Sequence, residues 1–308
     1  MSIVVVGSVA LDSVKTPFGE VEEVLGGSAT YFSTSASFFA DVKLVAVVGE
    51  DFPDRHIKFL KSRSIDLSGL QQRPGKTFRW KGKYGYDLNE AITLDTKLNV
   101  FENFTPLIPE EYKNADYVFL ANIDPELQSN VLAAVENPKL VALDTMNFWI
   151  EGKPEALKKA LGKIDVLIIN DGETREFAKE PNIVLAARKI LKLGPRMIIV
   201  KRGEYGALMF SNNSVFAAPA YPLHSINDPT GAGDTFAGGF LGYIASIDRF
   251  DEQAIRQGII FGSVMASFAV EDFSLNRLIS LTMSEIRERF KEFKKLSHFD
   301  DLHEPLEK

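Results

Sequence analysis

Six short runs of apolar, largely β-branched residues, with helical patterns between them, constrain this sequence more than any other feature. They are Ile3–Val6, Lys43–Val48, Tyr117–Leu120, Leu140–Leu143, Asp165–Ile169 and Met197–Val200. Each lacks the in–out alternation of a half-exposed strand and is too short for a buried helix, so each reads as a strand covered on both faces. Helical periodicity occupies Arg55–Lys61, Pro125–Val135, Pro154–Leu161 and Val184–Leu193. Alternation of this kind predicts a three-layer α/β/α sandwich around a mostly parallel sheet, with right-handed crossovers. With 308 residues, 45% of them hydrophobic, the chain has ample material for such a core.

Two stretches break the rhythm. Val14–Leu25 and Thr77–Val100 carry strand patterns without helices, bounded by turn signals at Thr16-Pro17-Phe18-Gly19, Arg73-Pro74-Gly75 and Asp87-Leu88-Asn89. They predict one small antiparallel sheet, built from residues 13–25 and 76–101 and inserted in a single domain spanning 1–308. Such an excursion reads as a lid over a site at the carboxyl edge of the main sheet, where open α/β folds bind ligands. Decoration or a dimerisation flap is the other reading, and exposed strand edges allow one element to serve as both lid and homodimer contact. The last third is helical at Gly231–Ala245, Glu252–Val270 and Ser284–Lys295, and residues 297–308 read as a frayed polar tail.

Composition removes whole classes of chemistry. There is no cysteine, and the four histidines at 56, 224, 298 and 303 form no metal-binding pair on a helix face. Disulfides, thiolate metal sites and cysteine nucleophiles are thereby excluded. The net charge of −7 supplies no basic stripe for nucleic acid. No run approaches a membrane span, and Met1–Gly7 lacks the basic start of a signal peptide, so the expected location is cytoplasmic. What chemistry there is must rest on carboxylates, backbone amides and oxygen ligands.

The segment Asn227-Asp228-Pro229-Thr230-Gly231-Ala232-Gly233-Asp234 leads into an apolar helix. Small residues at a helix start let unpaired amides approach a ligand, and the helix dipole favours an anion there. A carboxylate such as Asp234 repels an anion, unless its task is to accept a proton from a hydroxyl attacking a bound phosphate. An ordinary first-turn acid complementing the dipole is the plain alternative. Gly238-Gly239 within the helix, each costing about 1 kcal/mol relative to alanine, points to close approach by a backbone or a ligand.

Here the sequence resembles the ribokinase-like, or PfkB-type, carbohydrate kinases, whose signature Asp-Thr-x-Gly-Ala-Gly-Asp matches Asp228–Asp234 with Pro229 in place of the commoner threonine. The resemblance implies that Asp234 is the general base and that the amides of Gly231, Ala232, Gly233 and Asp234 form the anion hole. Further matches run along the chain. Gly7-Ser8-Val9-Ala10-Leu11-Asp12 implies a substrate-binding Asp12, Gly26-Gly27 the di-glycine beside the substrate, and Val48-Gly49-Glu50-Asp51-Phe52 the turn closing the next unit. The family's asparagine after the di-glycine is absent; Tyr31-Phe32 stands there, offering an aromatic face where an amide offers two hydrogen bonds. Asn170-Asp171-Gly172-Glu173 resembles the Asn-x-x-Glu motif that organises water and Mg²⁺ at nucleotide phosphates, Glu173 acting on the metal through water; the same spacing is also a helix capping box. Lys201, Gly203 and Gly206 resemble the strand and turn bordering the nucleotide, and Gly262 stands loosely where the adenine lies.

The expected activity is transfer of the γ-phosphoryl group of ATP, with Mg²⁺, to a hydroxyl of a sugar, polyol or other sugar-like alcohol. A nucleoside acceptor is the nearest alternative, because Tyr31, Phe32, Phe78 and Trp80 offer stacking surfaces. A non-catalytic nucleotide or sugar sensor on the same scaffold is a third. There is no Gly-x-x-x-x-Gly-Lys-[Ser/Thr], no dinucleotide fingerprint and no Gly-x-Ser-x-Gly elbow, which excludes P-loop, Rossmann and hydrolase chemistry.

Overall fold

A computed structural model describes residues 1–298. The strands are β1 (Ser2–Val6), β2 (Ala10–Thr16), β3 (Gly19–Gly26), β4 (Asp41–Gly49), β5 (Ile65–Arg73), β6 (Phe78–Tyr84), β7 (Ala91–Lys97), β8 (Tyr117–Leu120), β9 (Leu140–Asp144), β10 (Val166–Asn170), β11 (Met197–Lys201), β12 (Ala207–Ser211) and β13 (Val215–Ala218). Nine of them form the main sheet in the order β13-β12-β11-β10-β9-β8-β1-β4-β5. All neighbours are parallel except β11–β12 and β12–β13.

The helices are α1 (Ser28–Ala36), α2 (Asp54–Ser62), α3 (Pro125–Ala134), α4 (Asn147–Gly152), α5 (Pro154–Leu161), α6 (Asp171–Ala178), α7 (Ile183–Leu191), α8 (Ala232–Ile247), α9 (Glu252–Ala269), α10 (Asn276–Ser280) and α11 (Met283–Ser297). Strand alternation divides the core in two. Ile3 and Val5 face Phe32, Phe240, Ile259 and Phe293, whereas Val4 and Val6 face Val131, Leu157 and Ile190. Burying each such side chain is worth about 1.5–3 kcal/mol, which fixes the register strand by strand. The parallel strands β1, β8, β10 and β11 are apolar on both faces for this reason.

The second sheet has the order β3-β2-β6-β7. It is mixed rather than antiparallel: the β2–β3 and β6–β7 ribbons are each antiparallel, but β2 and β6 join them side by side in parallel. Both ribbons leave the carboxyl ends of main-sheet strands, β1 and β5, and therefore run in the same sense. The sequence pattern also passed over β5, β12 and β13. Each lies at or next to an edge of the sheet, where polar residues such as Asp66, Ser68 and Gln72 in β5 are tolerated. No helix among the described residues is long and apolar enough to cross a membrane. The tail expected over 297–308 lies mainly outside the described residues; Ser297 ends α11.

Candidate active site

Parallel order brings the ends of β9, β10 and β11 side by side, placing Asp144, Asn170 and Lys201 on one edge. Lys201 Nζ donates to Asp144 Oδ2 at 2.9 Å, and both side chains are largely buried. The ammonium also lies against Gly233: a Cβ there would sit 2.9 Å from Nζ. A lysine at a strand end is ordinarily a solvated charge; this one is held over the start of α8.

Gly231 caps that helix at φ 72°. The left-handed conformation is open to glycine, and the ring of Tyr31 fills the space where a side chain would begin, 2.3 Å from an added Cβ. The Ala232 amide donates to the Pro229 carbonyl at 3.2 Å, while the amides of Gly231, Gly233 and Asp234 have no acceptor among the described residues. Three free donors, the helix dipole and one ammonium thus converge. Asp234 stands in the first turn, its pKa pushed up to about 7 by burial and by Asp144, against the opposing pull of Lys201. Gly238 packs on the backbone of Phe32, Gly239 on Phe261 and Met265, and Gly262 on Phe236. The close approach at these glycines is thus made by neighbouring helices.

Asp12, in β2, is buried at 5% exposure beside the di-glycine. Its Oδ2 accepts from the Gly27 amide at 3.3 Å and lies 1.9 Å from where a Gly26 Cβ would stand. Burial raises Asp12 to about 7, with Asp228 and Asp234 adding repulsion. Tyr31 is 1% exposed in α1. Burial pushes its phenol well up, and the surrounding Asp228, Asp12, Tyr84 and Asp234 push it further. Asp228, which opens the matched signature, and Tyr84, which no sequence pattern marks, complete this side of the site. Asp228 accepts from the amides of Thr230 and Ser274, tying the motif to the loop after α9. Tyr84 comes from the small sheet and accepts a hydrogen bond from the Thr230 hydroxyl at 3.3 Å.

On the far side, Asn170 and Glu173 form a reciprocal capping box at the start of α6. Glu173 Oε2 accepts from the Asn170 amide, and Oε1 has no hydrogen-bond partner among the described residues. Burial lifts Glu173 to about 7. Among the described residues no group of three or more acidic or histidine side chains cages a metal. That donor set fits Mg²⁺, which keeps several waters and takes one or two carboxylates plus substrate phosphates. Gly203 and Gly206, both at positive φ, shape the turn after Lys201, and the Asn89 side chain of the small sheet abuts Gly203. Sequence spacing had no means of finding Asp144, whose place depends on strand order alone.

Comparison with known proteins agrees with this fold. The sequence model of the pfkB family of carbohydrate kinases matches residues 2–280. The chain is 32% identical over 267 residues to a cytidine kinase of Thermococcus kodakarensis, covering 84% of this chain and 94% of that protein. The crystal structure of a nucleoside kinase of Methanocaldococcus jannaschii superposes with a TM-score of 0.75 at 21% identity, over 94% of this chain and 98% of that one. A fructokinase of Vibrio cholerae, solved with fructose, ADP and calcium, superposes with a TM-score of 0.77 at 18% identity, over the same shares.

Proposed function

The chain belongs to the pfkB family of carbohydrate kinases, and from that membership we propose that it transfers the γ-phosphoryl group of ATP to a hydroxyl of a nucleoside. The family makes it a phosphotransferase with an alcohol acceptor. The observation that carries the mechanism is Asp234 standing beside three unpartnered amides and the Lys201 ammonium. Asp12 and the Gly27 turn hold acceptor hydroxyls. Asp234 takes the proton of the attacking hydroxyl, the new O–P bond forms as the bond to ADP breaks, and the phosphoryl charge is met by the amides of Gly231, Gly233 and Asp234 and by Lys201. Asn170 and the free Oε1 of Glu173 would hold Mg²⁺ through water, and the ion would supply positive charge to the nucleotide phosphates. Gly203 and Gly206 border the nucleotide.

The nucleoside reading is favoured over a plain sugar by the 32% identity to a cytidine kinase along nearly its full length. The small sheet acts as a lid, excluding water from the transfer. Its outer strand β7 is exposed throughout, with Ile92 at 53% and Leu94 at 49%, and we propose that this edge pairs with a second copy. A panel of nucleosides, sugars and polyols, assayed for acceptor-dependent ADP release, tests the activity. Release with sugars alone would overturn the nucleoside reading, and ATP binding without turnover of any acceptor would favour a sensor. Light scattering on wild type and Leu94→Lys tests the dimer.

A further inference from the structure

Four aromatic residues offer the acceptor a stacking surface on sequence grounds, and the structure removes three of them. Phe32 is fully buried and stacks on Phe119 with centroids 4.1 Å apart. Phe78 is stacked on Phe101 at 5.2 Å. Tyr31 lies against Gly231 and is 1% exposed. Phe78 and Trp80 are both partly exposed, and of these two only Trp80 has, among the described residues, neither an aromatic nor a cationic partner.

Trp80 is also in the right place. It is the parallel register partner of Asp12, so the two side chains project from the same face of adjacent strands. Two residues further on, Gly82 faces the same way, and two beyond that is Tyr84, whose hydroxyl meets Thr230 at the anion hole. The indole is fixed in position. Its Nε1 donates to Thr93 Oγ1 at 3.2 Å, and its six-membered ring lies across Gly82, where a Cβ would fall 2.2 Å from Cη2 and 2.3 Å from Cζ2. A ring held by one hydrogen bond and seated on a bare backbone has little freedom left to lose on binding.

We propose that Trp80 is the surface on which the base of a nucleoside acceptor stacks, and is therefore the residue that separates nucleosides from base-free sugars. The proposal rests on the nucleoside reading of the same site. Asp12 reaches the sugar hydroxyls while the neighbouring indole takes the heteroaromatic ring, and Gly82 is required because any side chain there displaces the indole.

Steady-state kinetics with cytidine, adenosine and D-ribose on wild type, Trp80→Ala, Trp80→Phe and Gly82→Val test it. Loss of one base–aromatic stack is expected to raise the nucleoside KM roughly ten- to a hundredfold. Nucleoside kcat should change only a few-fold, and any ribose KM should stay unchanged. Trp80→Phe should recover most of the loss, and Gly82→Val should resemble Trp80→Ala. A second readout does not depend on the alanine variant folding. In Trp149→Phe, which leaves Trp80 as the only indole in the chain, cytidine without ATP should quench the fluorescence saturably, and ribose should not. If wild type phosphorylates nucleosides but Trp80→Ala keeps a nucleoside KM within threefold, or cytidine leaves the indole emission unchanged, Trp80 is not the stacking surface and the nucleoside reading survives. If wild type phosphorylates sugars and no nucleoside, the reading and the proposal fall together.

Discussion

Lys201 Nζ sits 2.9 Å from Asp144 Oδ2 and against Gly233, so a carboxylate at the end of one strand anchors a cation over the first turn of α8. A buried ion pair contributes little net stability, because desolvation offsets its attraction. Its value here is placement and charge balance. Burial raises Asp234, Asp144 raises it further and Lys201 lowers it, leaving its carboxyl at about 7. Since the base works only when ionised, kcat/KM should fall as pH drops through about 7. Asp144→Asn removes the repulsion and should move that limb to lower pH; Lys201→Met removes the attraction and should move it to higher pH. Lys201→Met should also cost about 10²–10³-fold in kcat, as loss of one charge-stabilising donor does. pH–rate profiles of the three proteins check the opposed signs.

Asp234→Asn keeps the size of the side chain and removes its basicity. Turnover should fall roughly 10²–10⁴-fold, the usual contribution of a general base, while ATP affinity measured by calorimetry stays close to wild type. Activity within tenfold of wild type would remove Asp234 from the role of base.

Gly231 meets two constraints at once: φ is 72°, and the Tyr31 ring occupies the side-chain direction. Gly231→Val should therefore distort the anion hole, with loss of turnover and weaker ATP binding. Gly231→Ala separates the causes. If the clash dominates, the double variant with Tyr31→Ala recovers thermal stability; if the backbone dominates, the left-handed penalty of about 1–2 kcal/mol persists in both. Melting temperatures of the four proteins form the cycle.

The strands that carry the site were legible because burial on both faces makes them uniformly apolar, and the Gly231–Asp234 segment because small residues running into an acid at a helix start are a local pattern. Asp12, Gly26 and Gly27 also come together, as the family resemblance implied. Asp144 and Tyr84 were not legible. Asp144 follows a strand as many aspartates do, and it gains meaning only because β9 lies two places from β11. Tyr84 belongs to an exposed-looking strand whose partner is 146 residues away. Tyr31 was visible as an aromatic, but whether it offered a face or served as packing depended on Gly231, which no local pattern links to it.

That 146-residue contact sets up the last prediction. Thr230 donates to the Tyr84 hydroxyl, so the phenol keeps its own proton to offer elsewhere, and a pKa raised to about 12 by burial keeps it there at physiological pH. Tyr84→Phe removes the only hydrogen bond that joins the inner face of β6 to the Thr230–Asp234 segment among the described residues. One neutral hydrogen bond is worth about 0.5–1.5 kcal/mol, so the acceptor KM should rise roughly two- to twelvefold. A looser lid also admits water beside the phosphoryl group, so ADP release without acceptor should increase relative to acceptor-dependent turnover. If the acceptor KM rises while that ratio stays constant, Tyr84 contacts the acceptor without holding the lid.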